Sequence, residues 1–198
     1  MYKRATWQKL FLLGLLLLLG ACASSYQLNR ETQSLLAQLD ATQARNLLHG
    51  YMMKDERGGG FCVGGMTQRS GYQTHDQLML TTRGELNFLG HWQASPGLKG
   101  FTLIEEVENY PLELPQGWQA GRLQVDLTEI ETIRIKDTKG IEGESFCEGL
   151  LPGKLILASA EAGQTSMYIN VVPEHLNRAL AGLRYFARDA EMLEGTGF

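Results

Sequence analysis

The apolar residues of this chain change period on either side of a triple glycine, Gly58-Gly59-Gly60. Before it, Ala44, Leu47, Leu48 and Tyr51 recur at i, i+3, i+4 and i+7, which is one face of a helix. Leu35, Leu36 and Leu39 make an earlier apolar face, and Asp40 with Gln43 has the spacing of a capping box. The glycines end that helix. They lack the Lys and the following helix of a phosphate-cradling loop, so they read as a joint. From Gln77 onward the apolar residues alternate instead. Strand patterns cover 77–81, 85–89, 100–107, 123–127, 133–135, 154–160 and 165–172. Arg83-Gly84 and Thr128-Glu129-Ile130 read as turns, 109–121 and 140–153 as Gly/Pro-bearing loops, and 161–164 as the turn of a hairpin. Pro173 then opens a last helix with the stripe Leu176, Ala179, Leu180, Leu183 and Phe186. A helix, about seven short antiparallel strands and a closing amphipathic helix place the chain in the α+β class.

Composition narrows the function. The 198 residues are 43% apolar and 20% charged, which suits one globular domain, or one with a small extension, and excludes a disordered or collagenous chain. The net charge is −4, and it grows more negative without Lys3, Arg4 and Lys9, the only charged residues among the first 21. A nucleic-acid binder would need a basic face, so nucleic acid is not the expected partner.

Those first residues form an address. A basic start is followed by the apolar run 10–19 and then by Gly20, Ala21 and Cys22. The run is the length of a secretory h-region and short of the roughly 20 residues a membrane-spanning helix needs. The ending Leu19-Gly20-Ala21-Cys22 resembles the lipobox of bacterial lipoproteins. The resemblance implies diacylglyceration of the Cys22 thiol, cleavage before it, and acylation of the new amine. Several acyl chains, at about 0.8 kcal/mol per buried CH₂, give an anchor that a single chain does not. Ala23 and Ser24 follow, with no Asp after the cysteine, which in Gram-negative members favours the outer membrane facing the periplasm. The expected division is a signal peptide over 1–21, a tether over 22–30, a helical segment over 31–57 and the α+β body over 58–198.

With Cys22 lipidated, Cys62 and Cys147 remain, in the similar settings Gly-Phe-Cys-Val-Gly and Ser-Phe-Cys-Glu-Gly. A pair in an oxidising compartment reads as a disulfide. A loop of about 85 residues would make it worth about 4–5 kcal/mol on the loop-entropy relation. Free thiols, or metal or redox chemistry, are the alternatives. The cysteines are not vicinal, and none of His49, His75, His91 and His175 lies within ten residues of either.

The segment 123–135, the hairpin after it and the final helix are similar to the second half of a pleckstrin-homology-like (PH-like) domain, in which two bent sheets are plugged by a C-terminal helix. The lead helix ending Asp40-Ala-Thr-Gln-Ala-Arg-Asn-Leu-Leu48 is similar to one that precedes such folds in bacterial envelope proteins. The resemblance implies a PH-like roll or small barrel. Members of that fold bind lipid headgroups or peptides or act as scaffolds, so the fold leaves function open.

No motif for catalysis emerges. Gly143-Glu-Ser-Phe-Cys147 departs from the Gly-x-Ser-x-Gly elbow at its last position. The four histidines have no metal-binding spacing. Glu105, Glu106 and Glu108, like Glu129 and Glu131, read as solvated acids on a strand edge or loop. Trp92, Tyr110 and Trp118 lie in or beside Gly/Pro-rich connections and are the candidate partner surface, since Trp and Tyr anchor interfaces. The alternative is that they cap the ends of the fold. The expectation is a non-enzymatic, cofactor-free, lipid-anchored accessory or binding protein of the cell envelope whose partner is another envelope protein. A module for a small apolar or lipidic ligand is the second reading, and an enzyme with an unfamiliar site the third.

Overall fold

A computed structural model describes residues 27–64, 71–93, 101–111, 113–139, 151–160 and 166–194. The signal, Cys22 and most of the tether, the near-elbow at 143–147 and Cys147 fall outside the described residues. The expected helical segment is two helices, α1 (Arg30–Gln38) and α2 (Ala41–Met52). They are separated because Asp40 leaves the helix to cap α2. Its carboxylate accepts the Gln43 backbone N–H at 2.8 Å, while the Gln43 side chain accepts the Asp40 N–H at 2.9 Å. The last helix, α3 (Leu176–Phe186), follows a 3-10 turn, Pro173–His175, that the proline opens.

Nine strands follow chain order: β1 (Gly60–Gly64), β2 (Gly71–Leu80), β3 (Glu85–Gln93), β4 (Thr102–Glu106), β5 (Trp118–Asp126), β6 (Thr132–Asp137), β7 (Lys154–Ser159), β8 (Ser166–Val171) and β9 (Glu191–Glu194). Their hydrogen-bonded order is β4-β5-β3-β2-β1-β8-β7-β6-β9. The β1–β2 ladder is short, pairing Val63 with Tyr72 and Gly64 with Gly71, and it joins a five-stranded part to a four-stranded part. Every pair is antiparallel except β6–β9.

The α+β class holds, and two finer expectations are corrected. Among the described residues the sheet has nine strands, not about seven, and it is open, since β4 and β9 end the strand order without meeting. It is therefore not a closed barrel. β1 was hidden in a glycine-flanked pentapeptide that reads as a joint. Gly60 in fact enters β1 with φ +80°, a conformation open to glycine. A β-carbon there would meet the Lys54 backbone nitrogen at 2.9 Å. β9 is a four-residue strand beyond the last helix, and it covers the edge that β6 would otherwise expose.

The core lies between the sheet and the helices. Ala44, Leu48 and Tyr51 of α2, and Ala179, Leu180, Leu183 and Phe186 of α3, pack on Val63, Phe88, Leu123, Ile133, Ile156 and Ile169. The α2 and α3 stripes read from the sequence thus face the core, with Leu47 and Leu176 partly buried at its margin. Gly182 lets the two helices close, because a β-carbon there would stand 3.2 Å from Leu48 Cβ. α1 is held differently. Its one fully buried residue is Thr32, whose hydroxyl bonds to Asn29 Oδ1 at 3.0 Å and Asn177 Oδ1 at 3.3 Å. Leu155, Leu157 and Tyr168 form a second, smaller cluster with Cys62 packed against it. Among the described residues no helix is long and apolar enough to cross a membrane.

Candidate functional site

At the outer edge of β4 the backbone and the side chains are open together. All five residues from Thr102 to Glu106 are exposed, and Leu103 and Ile104 are among the few large apolar side chains that face solvent. Among the described residues β4 pairs with β5 alone. The ladder slips between Leu103, which faces Leu123, and Glu105, which faces Arg122, so Ile104 is an extra, bulged residue. Glu105 accepts from Arg122 Nε at 3.0 Å. The solvated, strand-edge reading of Glu105 and Glu106 agrees with this placement.

Both ends of β4 are fastened to β3 by rings. Just before the strand, Phe101 meets Phe88 edge-on at 5.8 Å and 90°. Just after it, Val107 N–H bonds to Ala120 carbonyl at 3.0 Å and the chain turns back to Tyr110. The Tyr110 hydroxyl lies 2.9 Å from His91 Nδ1, with the rings edge-to-face at 5.2 Å. Trp118 closes the group, its ring 5.3 Å from that of His91. His91 is a buried residue of β3. Burial also pushes the Tyr110 hydroxyl above the ordinary tyrosine range.

Of the residues expected on a partner surface, Trp92 is placed elsewhere. Trp92 is 3% exposed and belongs to the core, with its indole N–H donating to Gln119 Oε1 at 3.2 Å. Alternation along β3 turns it inward, opposite Gln119 in the ladder. Tyr110 and Trp118 are half-buried against His91. The residues do come together, but as the brace behind the edge strand, and the open surface is β4 itself.

Cys62 sits on β1 and is disulfide-bonded; Cys147, the partner expected for it, lies outside the described residues. A buried amide ties together the segments beside the two cysteines. Asn170 Oδ1 accepts the Gly59 N–H at 2.9 Å and the Leu151 N–H at 2.7 Å, and Nδ2 donates to the carbonyls of Leu151 at 3.1 Å and Lys154 at 3.2 Å.

Sequence reasoning missed this amide and a second polar cluster. Tyr51, counted in the α2 stripe, carries its hydroxyl to His175 Nδ1 at 3.2 Å. Arg57 lies over the Tyr51 ring at 5.5 Å, forms an ion pair with Asp55 and donates to the Gly50 carbonyl at 2.9 Å. The bond from Arg57 holds the Asp55 carboxyl below its usual range. Burial pushes the Tyr51 hydroxyl up, against the opposing pull of Arg178 and Arg57. These groups satisfy one another and clamp the end of α2 to the entries of β1 and α3. Only the helical position of Tyr51 hinted at them. His49 Nε2 lies 3.1 Å from the Leu78 carbonyl, so that histidine has a structural contact. Among the described residues no group of three His, Cys, Asp or Glu could hold a metal. Comparison with protein-family models, with curated proteins and with solved structures finds no match for this chain.

Proposed function

We propose that the chain is a lipid-anchored docking protein of the bacterial cell envelope, held by Cys22 at the periplasmic face of the outer membrane, whose body binds another envelope protein without catalysing a reaction. The observation that carries the docking half of this reading is the β4 edge, exposed along its whole length and braced at both ends. The anchored half rests on the Leu19-Gly20-Ala21-Cys22 ending. Between Cys22 and Asn29, whose side chain donates to Asn177 at 2.8 Å, the chain is short. At about 3.3–3.6 Å per extended residue, that tether reaches on the order of 25 Å. The body is therefore kept near the bilayer surface, and the finer likeness to PH-like domains fits a scaffolding role of this kind.

The test is crosslinking in cells followed by identification of what co-purifies. One dominant envelope protein is the expected result. A co-purifying lipid or small molecule with no protein would overturn the docking reading in favour of a ligand-binding module.

A further inference from the structure

We infer that β4 accepts a basic, aliphatic-rich extended segment of the partner protein as a tenth strand of the sheet, which rests on the docking reading above and names the chemistry of its partner. A strand at a sheet edge presents unpaired N–H and C=O groups, and an extended peptide can satisfy them by adding to the sheet. Among the described residues β4 has only β5 beside it, and its backbone makes no other hydrogen bond. Ile104, 48% exposed, and Leu103, 37% exposed, give such a strand apolar contact.

Charge selects the occupant. Glu105 and Glu106 lie on the strand, and Glu108 and Glu113 stand exposed just beyond it. Arg122 is engaged with Glu105, and among the described residues no cation pairs with Glu106, Glu108 or Glu113. A second copy of β4 would add its own acids to these, and any register that sets them opposite one another is unfavourable. The acids thus guard the edge against self-pairing while attracting lysine or arginine.

The probe is the capped nonapeptide Lys-Val-Lys-Val-Thr-Val-Lys-Val-Lys, titrated against the full chain in detergent. Three comparisons accompany it. One peptide has Glu for every Lys. Another has N-methylated backbone amides, which keeps the charge and removes the donors. The third comparison is the double variant Glu105→Lys/Glu106→Lys, whose fold is checked by thermal melting. The parent peptide should bind, and amide exchange should slow at 102–106. Both altered peptides should bind about tenfold or more weakly, and the double variant should reverse the preference between Lys and Glu peptides. Equal binding of the N-methylated peptide, or protection at β9 in place of β4, would overturn the proposal. In cells, a captured protein whose crosslinks fall away from β4 would also overturn it while leaving the docking reading intact. Capture of no protein would remove that reading itself.

Discussion

The carbonyl oxygen of Glu105 passes 2.5 Å from the point where a β-carbon on Gly121 would stand. On the same side lie Leu103 Cδ1 at 2.7 Å and Trp92 Cη2 at 3.2 Å. Gly121 has an ordinary backbone conformation, so its lack of a side chain serves close approach: it lets β4 lie flat on β5 above the buried Trp92. Gly121→Ala should therefore push β4 outward. Overpacking of this kind costs about 1–3 kcal/mol, seen as a lower Tm, with faster amide exchange confined mainly to 102–106. Gly117→Ala is the control. Its φ of +84° makes alanine unfavourable, but nothing lies within 4 Å, so stability should fall without loosening β4.

Asn170 is 1% exposed and serves four main-chain groups. Asn170→Ala would strand two N–H groups and two carbonyls in a buried place. With each unsatisfied group costing about 1–3 kcal/mol, the loss should be about 3 kcal/mol or more by denaturant unfolding. Asn170→Asp should not rescue it, because a carboxylate keeps the two acceptor contacts but opposes the Leu151 and Lys154 carbonyls. An aspartate variant as stable as the parent would show that the donor half of the amide is dispensable.

Much of the fold was legible because its signals are local. The capping box at Asp40 and Gln43, the α2 and α3 stripes and the turn at Arg83-Gly84 each lie within one element. All are present, with Gly84 at φ +93° above the Phe186 ring. What was missed depends on distant partners. Asn170 bonds to Gly59 across 111 positions, and Tyr51 meets His175 across 124. β1 was concealed by glycines whose role is to let backbones approach: a β-carbon on Gly58 would overlap the Asn170 carbonyl. Trp92 was placed on the surface because its neighbours read as loop, whereas β3 continues through Gln93 and β5 begins at Trp118. The edge itself was partly legible, since the acids of 105–108 read as solvated residues of a strand edge or loop. That the edge is open follows only from the strand order.

Burial raises the titration of both Tyr51 and Tyr110, with a definite consequence for alkaline stability. Unfolded tyrosines ionise near about pH 10, and the folded protein holds these protons more tightly. Stability should be full below about pH 10 and lost as pH rises through the higher folded-state values. Tm measured between pH 8 and pH 11 should hold level and then fall. Tyr51→Phe and Tyr110→Phe should each shallow that fall. Each should also lower Tm at neutral pH, by about 1 kcal/mol in stability, through loss of the contact to His175 or His91.

The bridge at Cys62 should carry a large part of the body's stability. If Cys147 is its partner, Cys62→Ser, Cys147→Ser and the double variant should lose the same amount, on the order of 4 kcal/mol. Reductant should lower the parent's Tm to that common value and leave the variants unchanged. Unequal losses between the two single variants would count against this pairing.

Cys22→Ala separates the anchor from the body. The thiol is the group that the lipobox chemistry joins to diacylglycerol. The variant should therefore keep the parent's melting temperature while moving from the membrane fraction to the soluble periplasmic fraction, with its apparent mass unchanged by lipid. A second substitution tests the sorting argument. Ala23→Asp places an acid directly after the lipidated residue, and in a Gram-negative host it should shift the protein from outer to inner membrane on a density gradient without releasing it. If Cys22→Ala stays with the membrane after an alkaline wash, the apolar run 10–19 is acting as an uncleaved anchor and the lipid is not what holds the protein there.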